Sequence, residues 1–161
     1  IAYDPYLSAE EIAAKDVKKV EFEELIRTSD VISLHAPLTD ETRHMFNAES
    51  LASMKPDAVV LNMARGGIVD EKAMYEALKA GKIGGYATDV MEDELAEGGL
   101  TEDASMDVMV DELSEGADFN SPLFECDNFI VTPHLGAQTV DASRDVGNYI
   151  IDKVKAALSL S

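Results

Sequence analysis

Two short segments, each with glycine close to a polar side chain, carry the residues best suited to chemistry. Arg65 precedes a glycine pair after an apolar run, and His134 lies between a proline and a nearby glycine. A guanidinium can hold a carboxylate through parallel hydrogen bonds, and glycines let a ligand approach the backbone closely. An imidazole takes up and releases protons near neutral pH. With Asp89 and Glu94 after another apolar run, these residues predict proton transfer on a substrate that carries a carboxylate.

The sequence pattern predicts alternating strands and helices that position these side chains. Strands are expected at 1–3, 17–20, 31–35, 58–63, 85–90 and 128–131. Helices are expected at 8–15, 21–26, 47–54, 70–81 and 139–158. The apolar run at 31–35 is expected to be a buried strand. This alternation predicts an α/β fold built on a parallel, doubly wound sheet.

Ligands of such sheets bind at the carboxyl ends of the strands. Four polar residues fall at or just past the ends of predicted strands: His35, Arg65, Asp89 and His134. Because parallel strands end at the same edge of a sheet, we expect these four side chains to form one polar rim.

The composition limits the classes of function. The chain has 161 residues and a net charge of −19, which suits one acidic domain and argues against nucleic acid or an anionic membrane as a partner. No apolar run is long enough to cross a bilayer, and no secretory leader is expected. The single cysteine, Cys126, excludes an intrachain disulfide and favours a reducing cytoplasm. An anionic ligand would need local positive potential from Arg65 and helix N-termini.

The segment 92–118 departs from the alternating pattern. It contains eleven carboxylates and no lysine or arginine, which predicts a solvated acidic insertion. A cation site is the alternative, but the Asp-x-Asp-x-Asp-Gly order of calcium loops is absent. We therefore expect no metal.

Several motifs around these residues resemble a known family. The likeness is carried by the segments 2–6, 29–39, 54–56, 62–70 (NMARGGIVD), 88–90 and 132–137 (TPHLGA). On these residues the chain resembles the NAD-dependent D-isomer-specific 2-hydroxyacid dehydrogenases. The resemblance implies an oxidoreductase that uses NAD and acts on the CH–OH group of a D-2-hydroxy acid, or on the matching 2-keto acid. It is strongest to the branch that acts on 3-phosphoglycerate in serine biosynthesis, and a D-lactate-type enzyme is the alternative.

The resemblance implies three catalytic residues. Arg65 would clamp the substrate carboxylate, and His134 would act as general acid and base on the 2-hydroxyl. Glu94 would orient the imidazole and favour its protonated form. The family usually places proline after this glutamate, whereas this chain has leucine. Glu92 and Asp93 therefore remain alternatives to Glu94.

The resemblance also implies the contacts with NAD. Asp4 would hold the adenosine ribose hydroxyls, which favours NAD over NADP because a 2′-phosphate would meet like charge. Asp89 would hold the nicotinamide carboxamide. The other implied contacts are Ala36, Met63, Ala64, Arg65, His134, Gly136 and Ala137.

One expected feature of the family is missing from this sequence. No Gly-x-Gly-x-x-Gly turn occurs in it, although that turn seats the pyrophosphate of a dinucleotide. We therefore interpret 1–161 as an NAD-binding domain that lacks its first strand and glycine turn, with 92–118 inserted. The isolated chain is predicted to be inactive, and a non-catalytic fragment or binding module is the alternative. An exposed sheet edge also predicts a homo-oligomer.

Overall fold

Four of the predicted apolar runs form one parallel sheet. A computed structural model describes residues 1–92, 121–132, 134, 140, 141, 144 and 148. The strands of the described sheet are β1 (Val31–Leu34), β2 (Val59–Asn62), β3 (Gly85–Thr88) and β4 (Phe129–Val131). They lie side by side in sequence order, and each neighbouring pair is parallel. The predicted parallel α/β fold is confirmed.

Four helices connect or precede these strands within the described residues. They are α1 (Ala9–Ala13), α2 (Phe22–Thr28), α3 (Ala48–Ala52) and α4 (Glu71–Lys79). α1, α3 and α4 begin close to their predicted positions because a polar cap satisfies free N–H groups at the first turn. Ser8, Asn47 and Asp70 are the caps of α1, α3 and α4. At the other end of α4, Gly81 has a φ of +63°, as expected of a glycine that ends a helix.

The sheet buries one face much more than the other. The inward side chains of β1, β2 and β3 are Ile32, Leu34, Val60, Asn62, Tyr86 and Thr88, all buried. α4 packs against β3 and against α3, which places the core between these helices and the sheet. The predicted buried strand at 31–35 is present as Val31–Leu34, but only one of its faces is buried. Val31 is 58% exposed and Ser33 is exposed, because successive side chains of a strand point to opposite faces.

The predicted strands at 1–3 and 17–20 form only one parallel bridge, between Ala2 and Lys19. The acidic insertion at 92–118 lies outside the described residues except for Glu92. The helix predicted at 139–158 is also largely outside them, although the described positions within it are helical. No helix among the described residues is long and apolar enough to cross a membrane.

Candidate functional site

The carboxyl ends of the four described strands lie side by side. The last residues of neighbouring strands are register partners: Leu34, Asn62, Thr88 and Val131. The residues predicted for the rim follow these ends at once or after two intervening residues: His35, Asp89, Arg65 and His134. The structure thus brings polar residues from four separate segments to one edge of the sheet.

Asn62 holds the loop that carries Arg65. Its side chain is fully buried at the end of β2. The Asn62 Nδ2 donates to the Arg65 carbonyl at 2.9 Å, and its Oδ1 accepts from the Ala64 N–H at 3.1 Å. Asn62 is not among the predicted site residues. Its signal in the sequence is an amide at the end of an apolar strand, where a buried polar group needs partners.

The Arg65 side chain is exposed on this loop. Its Nη1 donates to the Ala64 carbonyl at 2.7 Å, which engages one of several N–H donors. The residues that follow form a buried 3-10 turn, Gly66–Ile68. An exposed guanidinium on a fixed backbone can bind an anion from solvent with little loss of backbone conformational entropy.

An open cleft of about 300 Å³ lies beyond the ends of β1 and β2. It is lined by His35, Ala36, Pro37, Met63, Ala64 and Arg65. The His35 Nε2 and the Ser33 Oγ are hydrogen bonded at 2.8 Å. The predicted cofactor contacts Ala36, Met63 and Ala64 thus line one cavity together with Arg65. Its volume is at the lower end for small-molecule sites.

Asp89 is buried at the end of β3, with 6% of its surface exposed. Its backbone N–H donates to the Asn62 carbonyl at 3.1 Å. Its Oδ1 accepts a hydrogen bond from the Thr132 hydroxyl. The Thr132 N–H donates in turn to the Thr88 carbonyl at 3.0 Å. Asp89 therefore links the ends of β2, β3 and β4, and Thr132 is a second contact that the sequence did not predict.

His134 is half-buried just past β4. Its φ is +51°, in the left-handed region, which costs a residue with a Cβ about 1–2 kcal/mol. Its N–H donates to the Thr132 carbonyl at 2.9 Å. Thr132 therefore connects the turn that carries the imidazole to the Asp89 carboxylate. Such strained residues persist where the surroundings hold them, and they cluster at functional sites.

Three predicted site residues lie outside the described residues: Glu94, Gly136 and Ala137. Of the alternatives to Glu94, Asp93 also lies outside them, whereas Glu92 is described. The Glu92 carboxylate is hydrogen bonded to the Nε2 of His44. Glu92 thus engages a different imidazole, which argues against it as the partner of His134.

Asp4 shapes the turn that follows the Ala2 bridge. Its Oδ1 accepts from the N–H groups of Tyr6 at 2.8 Å and Leu7 at 3.2 Å. The Tyr6 hydroxyl donates to Glu41 Oε2 at 3.0 Å, and the bond to this carboxylate raises the pKa of the Tyr6 phenol. The turn contacts account for one of the two Asp4 carboxylate oxygens.

A buried phenol lies beneath the rim. Tyr86 is 2% exposed, and its ring stacks on Phe129 with 5.6 Å between centroids. Burial raises the pKa of Tyr86 to about 12, and the nearby side chains of Thr88 and Asn62 offset this only in part. Among the described residues, the Tyr86 hydroxyl has no partner with hydrogen-bond geometry. Tyr86 therefore stays protonated at neutral pH and contributes packing rather than proton transfer.

The described residues fit part of a dinucleotide site. The cleft is walled largely by small or apolar residues at two neighbouring strand ends, and the Asp89 carboxylate at the same rim suits an amide ligand. The 161 residues contain no Gly-x-Gly-x-x-Gly run to cradle a pyrophosphate. In the part of the chain that the structure describes, no group of three His, Cys, Asp or Glu side chains could hold a metal ion.

Comparison with protein families gives one match over most of the chain. The model for "D-isomer specific 2-hydroxyacid dehydrogenase, NAD binding domain" matches residues 1–136. D-3-phosphoglycerate dehydrogenase of Methanocaldococcus jannaschii is 39% identical over 159 residues, which cover 98% of this chain and 26% of the relative. Hydroxypyruvate reductase of Thermotoga maritima is 36% identical over 160 residues, which cover 99% of this chain and 45% of the relative.

Comparison with solved structures gives the same fold. D-lactate dehydrogenase from Aquifex aeolicus, solved with NAD and lactic acid, has a TM-score of 0.72 at 33% identity. The match covers 98% of this chain and 45% of that structure. The chain therefore spans between about a quarter and less than half of the length of these relatives.

Proposed function

Because the chain belongs to the D-isomer specific 2-hydroxyacid dehydrogenases through their NAD-binding domain, we propose that its encoded protein oxidises D-3-phosphoglycerate with NAD. By encoded protein we mean the product of the full reading frame that contains these 161 residues. The observation that carries the proposal is the alignment of four strand ends, which gathers Arg65, Asp89 and His134 at one rim.

The proposed chemistry assigns one task to each catalytic side chain. Arg65 binds the substrate carboxylate and fixes the carbon that loses hydride. His134 takes the proton of the 2-hydroxyl as the carbonyl forms, and returns it in the reverse direction. Glu94 orients the imidazole. NAD, when bound, accepts the hydride.

The cofactor contacts follow the same edge of the sheet. Asp4 holds the adenosine ribose, and Asp89 holds the nicotinamide carboxamide. The remaining proposed contacts are Ala36, Met63, Ala64, Arg65, His134, Gly136 and Ala137. The shared cleft of Ala36, Met63 and Ala64 supports this assignment.

The identity of the substrate rests on the relatives. The 39% identity to a D-3-phosphoglycerate dehydrogenase favours 3-phosphoglycerate, which would place the protein in serine biosynthesis. A D-lactate-type enzyme is the second candidate, favoured by the 33% identical Aquifex structure. We propose the cytoplasm as the location, since Cys126 is a buried free thiol.

A substrate panel tests the proposal. NADH formation by the encoded protein is measured with D-3-phosphoglycerate, D-lactate and D-glycerate, with L-lactate as the stereochemical control. We expect the highest kcat/KM with D-3-phosphoglycerate and none with L-lactate. A preference for D-lactate would favour the second candidate. No turnover with any of them, together with no NAD binding in calorimetry, would indicate a non-catalytic binding module.

The isolated 161-residue chain is assayed beside the encoded protein. We expect no turnover from it, because it contains no pyrophosphate-binding glycine turn. Full activity of the isolated chain would contradict this part of the proposal.

Self-association through a sheet edge belongs to the same proposal. β1 and β4 are the outer strands of the described sheet, and an outer strand can pair with a second copy. The net charge of −19 opposes this at low salt. Size-exclusion chromatography at several salt concentrations is the measurement, and a monomer under all of them would contradict self-association.

A further inference from the structure

A histidine outside the predicted site joins two loops of the rim. The His44 Nε2 and a Glu92 carboxylate oxygen are hydrogen bonded. The His44 backbone N–H donates to the Gly67 carbonyl at 2.8 Å. Gly67 lies two residues past Arg65, and Glu92 lies three past Asp89. One residue thus contacts the loop of the proposed substrate clamp and the segment that follows β3.

The contact with the Arg65 loop continues along the backbone. The Phe46 N–H donates to the Ile68 carbonyl at 3.1 Å, and the Asp70 N–H donates to the Phe46 carbonyl at 3.0 Å. Phe46 is 1% exposed. The backbone of His44 has a φ of +51°, an uncommon conformation for a residue with a side chain. The segment that presents His44 is therefore fixed by its pairing with the residues after Arg65.

Glu92 is held from two directions. Its N–H donates to Glu71 Oε1 at 2.6 Å, and Glu71 is buried in the first turn of α4. Its carboxylate contacts His44 from the other side. The backbone at Met91 also touches the Arg65 loop, since a Cβ on Gly66 would lie 2.1 Å from the Met91 carbonyl oxygen. The two loops are therefore in direct contact, and His44 with Glu92 bridges them beside that contact.

We propose that His44 and Glu92 are positioning residues, which set the placement of the Arg65 loop against the segment after β3. This inference rests on the proposed role of Arg65. Without the pair, backbone packing still joins the loops, but the guanidinium loses its fixed distance from the Asp89 end of the rim. A shift of this kind affects the bound substrate more than the adenosine end of NAD.

The test is a double-variant cycle in the encoded protein. His44→Asn keeps a residue type that tolerates positive φ, and Glu92→Gln keeps the size of the side chain. For each variant we expect kcat/KM for the hydroxy acid to fall about tenfold with KM for NAD nearly unchanged. Because both variants break the same hydrogen bond, the double variant should lose little more kcat/KM than either single variant.

A matched control and a second readout separate the possible failures. Lys55→Ala breaks an exposed ion pair, Lys55 to Asp30 at 2.8 Å, and should leave kcat and KM unchanged. In the 161-residue chain, His44→Asn should speed hydrogen exchange at both residues 66–69 and 91–92, whereas Lys55→Ala should not. Wild-type protein without turnover, but with this paired change in exchange, would refute the proposed function alone. Additive losses, or variants with normal kinetics in an active protein, would overturn the positioning role.

Discussion

Replacing Gly66 by alanine should displace the Arg65 loop. The new Cβ would lie 2.1 Å from the Met91 carbonyl oxygen, 2.3 Å from its carbonyl carbon and 2.6 Å from the Glu92 nitrogen. All three are backbone atoms, so no side-chain rotation can relieve the overlap. The two segments must separate by about 1 Å to restore ordinary contact, and overpacking of this kind destabilises by about 1–3 kcal/mol.

The same shift should affect catalysis as well as stability. A misplacement of about 1 Å in a positioning group can lower a rate on the order of 100-fold. We therefore expect Gly66→Ala to lower kcat/KM of the encoded protein by about that factor. Urea unfolding of the 161-residue chain measures the stability change, and NADH formation by the encoded protein measures activity.

Two other glycines supply controls. A Cβ on Gly81 meets nothing within 4 Å, but its φ is +63°, so Gly81→Ala should cost about 1–2 kcal/mol through backbone strain alone. At Gly67 the nearest atoms belong to the Leu38 and Arg43 side chains, at 3.2 and 3.3 Å, which can move. Gly81→Ala should thus match Gly66→Ala in stability but retain activity. Equal activity of the Gly66→Ala and Gly81→Ala variants would refute the proposal that the contact at Gly66 places the Arg65 loop.

Three further variants test the residues around the rim. Arg65→Lys removes the planar guanidinium, so kcat/KM of the encoded protein should fall on the order of 100-fold. The control, Arg27→Lys on the exposed surface of α2, should leave kcat/KM unchanged. Equal effects of the two variants would contradict the role of Arg65 in binding the substrate carboxylate. Asn62→Ala leaves the Arg65 carbonyl and the Ala64 N–H without their side-chain partner and should lower the free energy of unfolding by about 2 kcal/mol. Asn128→Ala removes only an exposed hydrogen bond to the Gly84 carbonyl and should lower the free energy of unfolding less in the same urea experiment. Tyr86→Phe removes a buried hydroxyl and should raise the free energy of unfolding by about 1 kcal/mol. Because the folded-state pKa of Tyr86, about 12, exceeds the ordinary 10.0, ionisation of this phenol favours the unfolded state, so the stability of the wild-type chain is unaffected by it below pH 10 and falls as the pH rises from 10 to 12. The phenylalanine variant should therefore lose less stability than wild type across that range, and parallel pH curves would contradict the assigned burial.

The sequence by itself determined the local elements and the family. Ser8 with Glu11, Asn47 and Asp70 carry the capping chemistry that begins three helices, because a cap involves residues only two or three positions apart. The apolar runs predict the strands for a similar reason, since a strand needs only a short stretch of suitable side chains. The motifs around Arg65 and His134, together with four further segments, predicted the family that the comparisons then confirmed.

The tertiary structure alone decided how these elements meet. The register that aligns four strand ends depends on pairing between segments far apart in the chain, and the sequence pattern of each strand carries no record of its neighbour. The same holds for the exposure of Val31, which depends on what packs against the sheet. Asn62 under the Arg65 loop, Gly66 against Met91, and His44 beside Glu92 are contacts of this kind. Local chemistry thus selects the side chains that can react, whereas long-range packing sets the distances at which they do so.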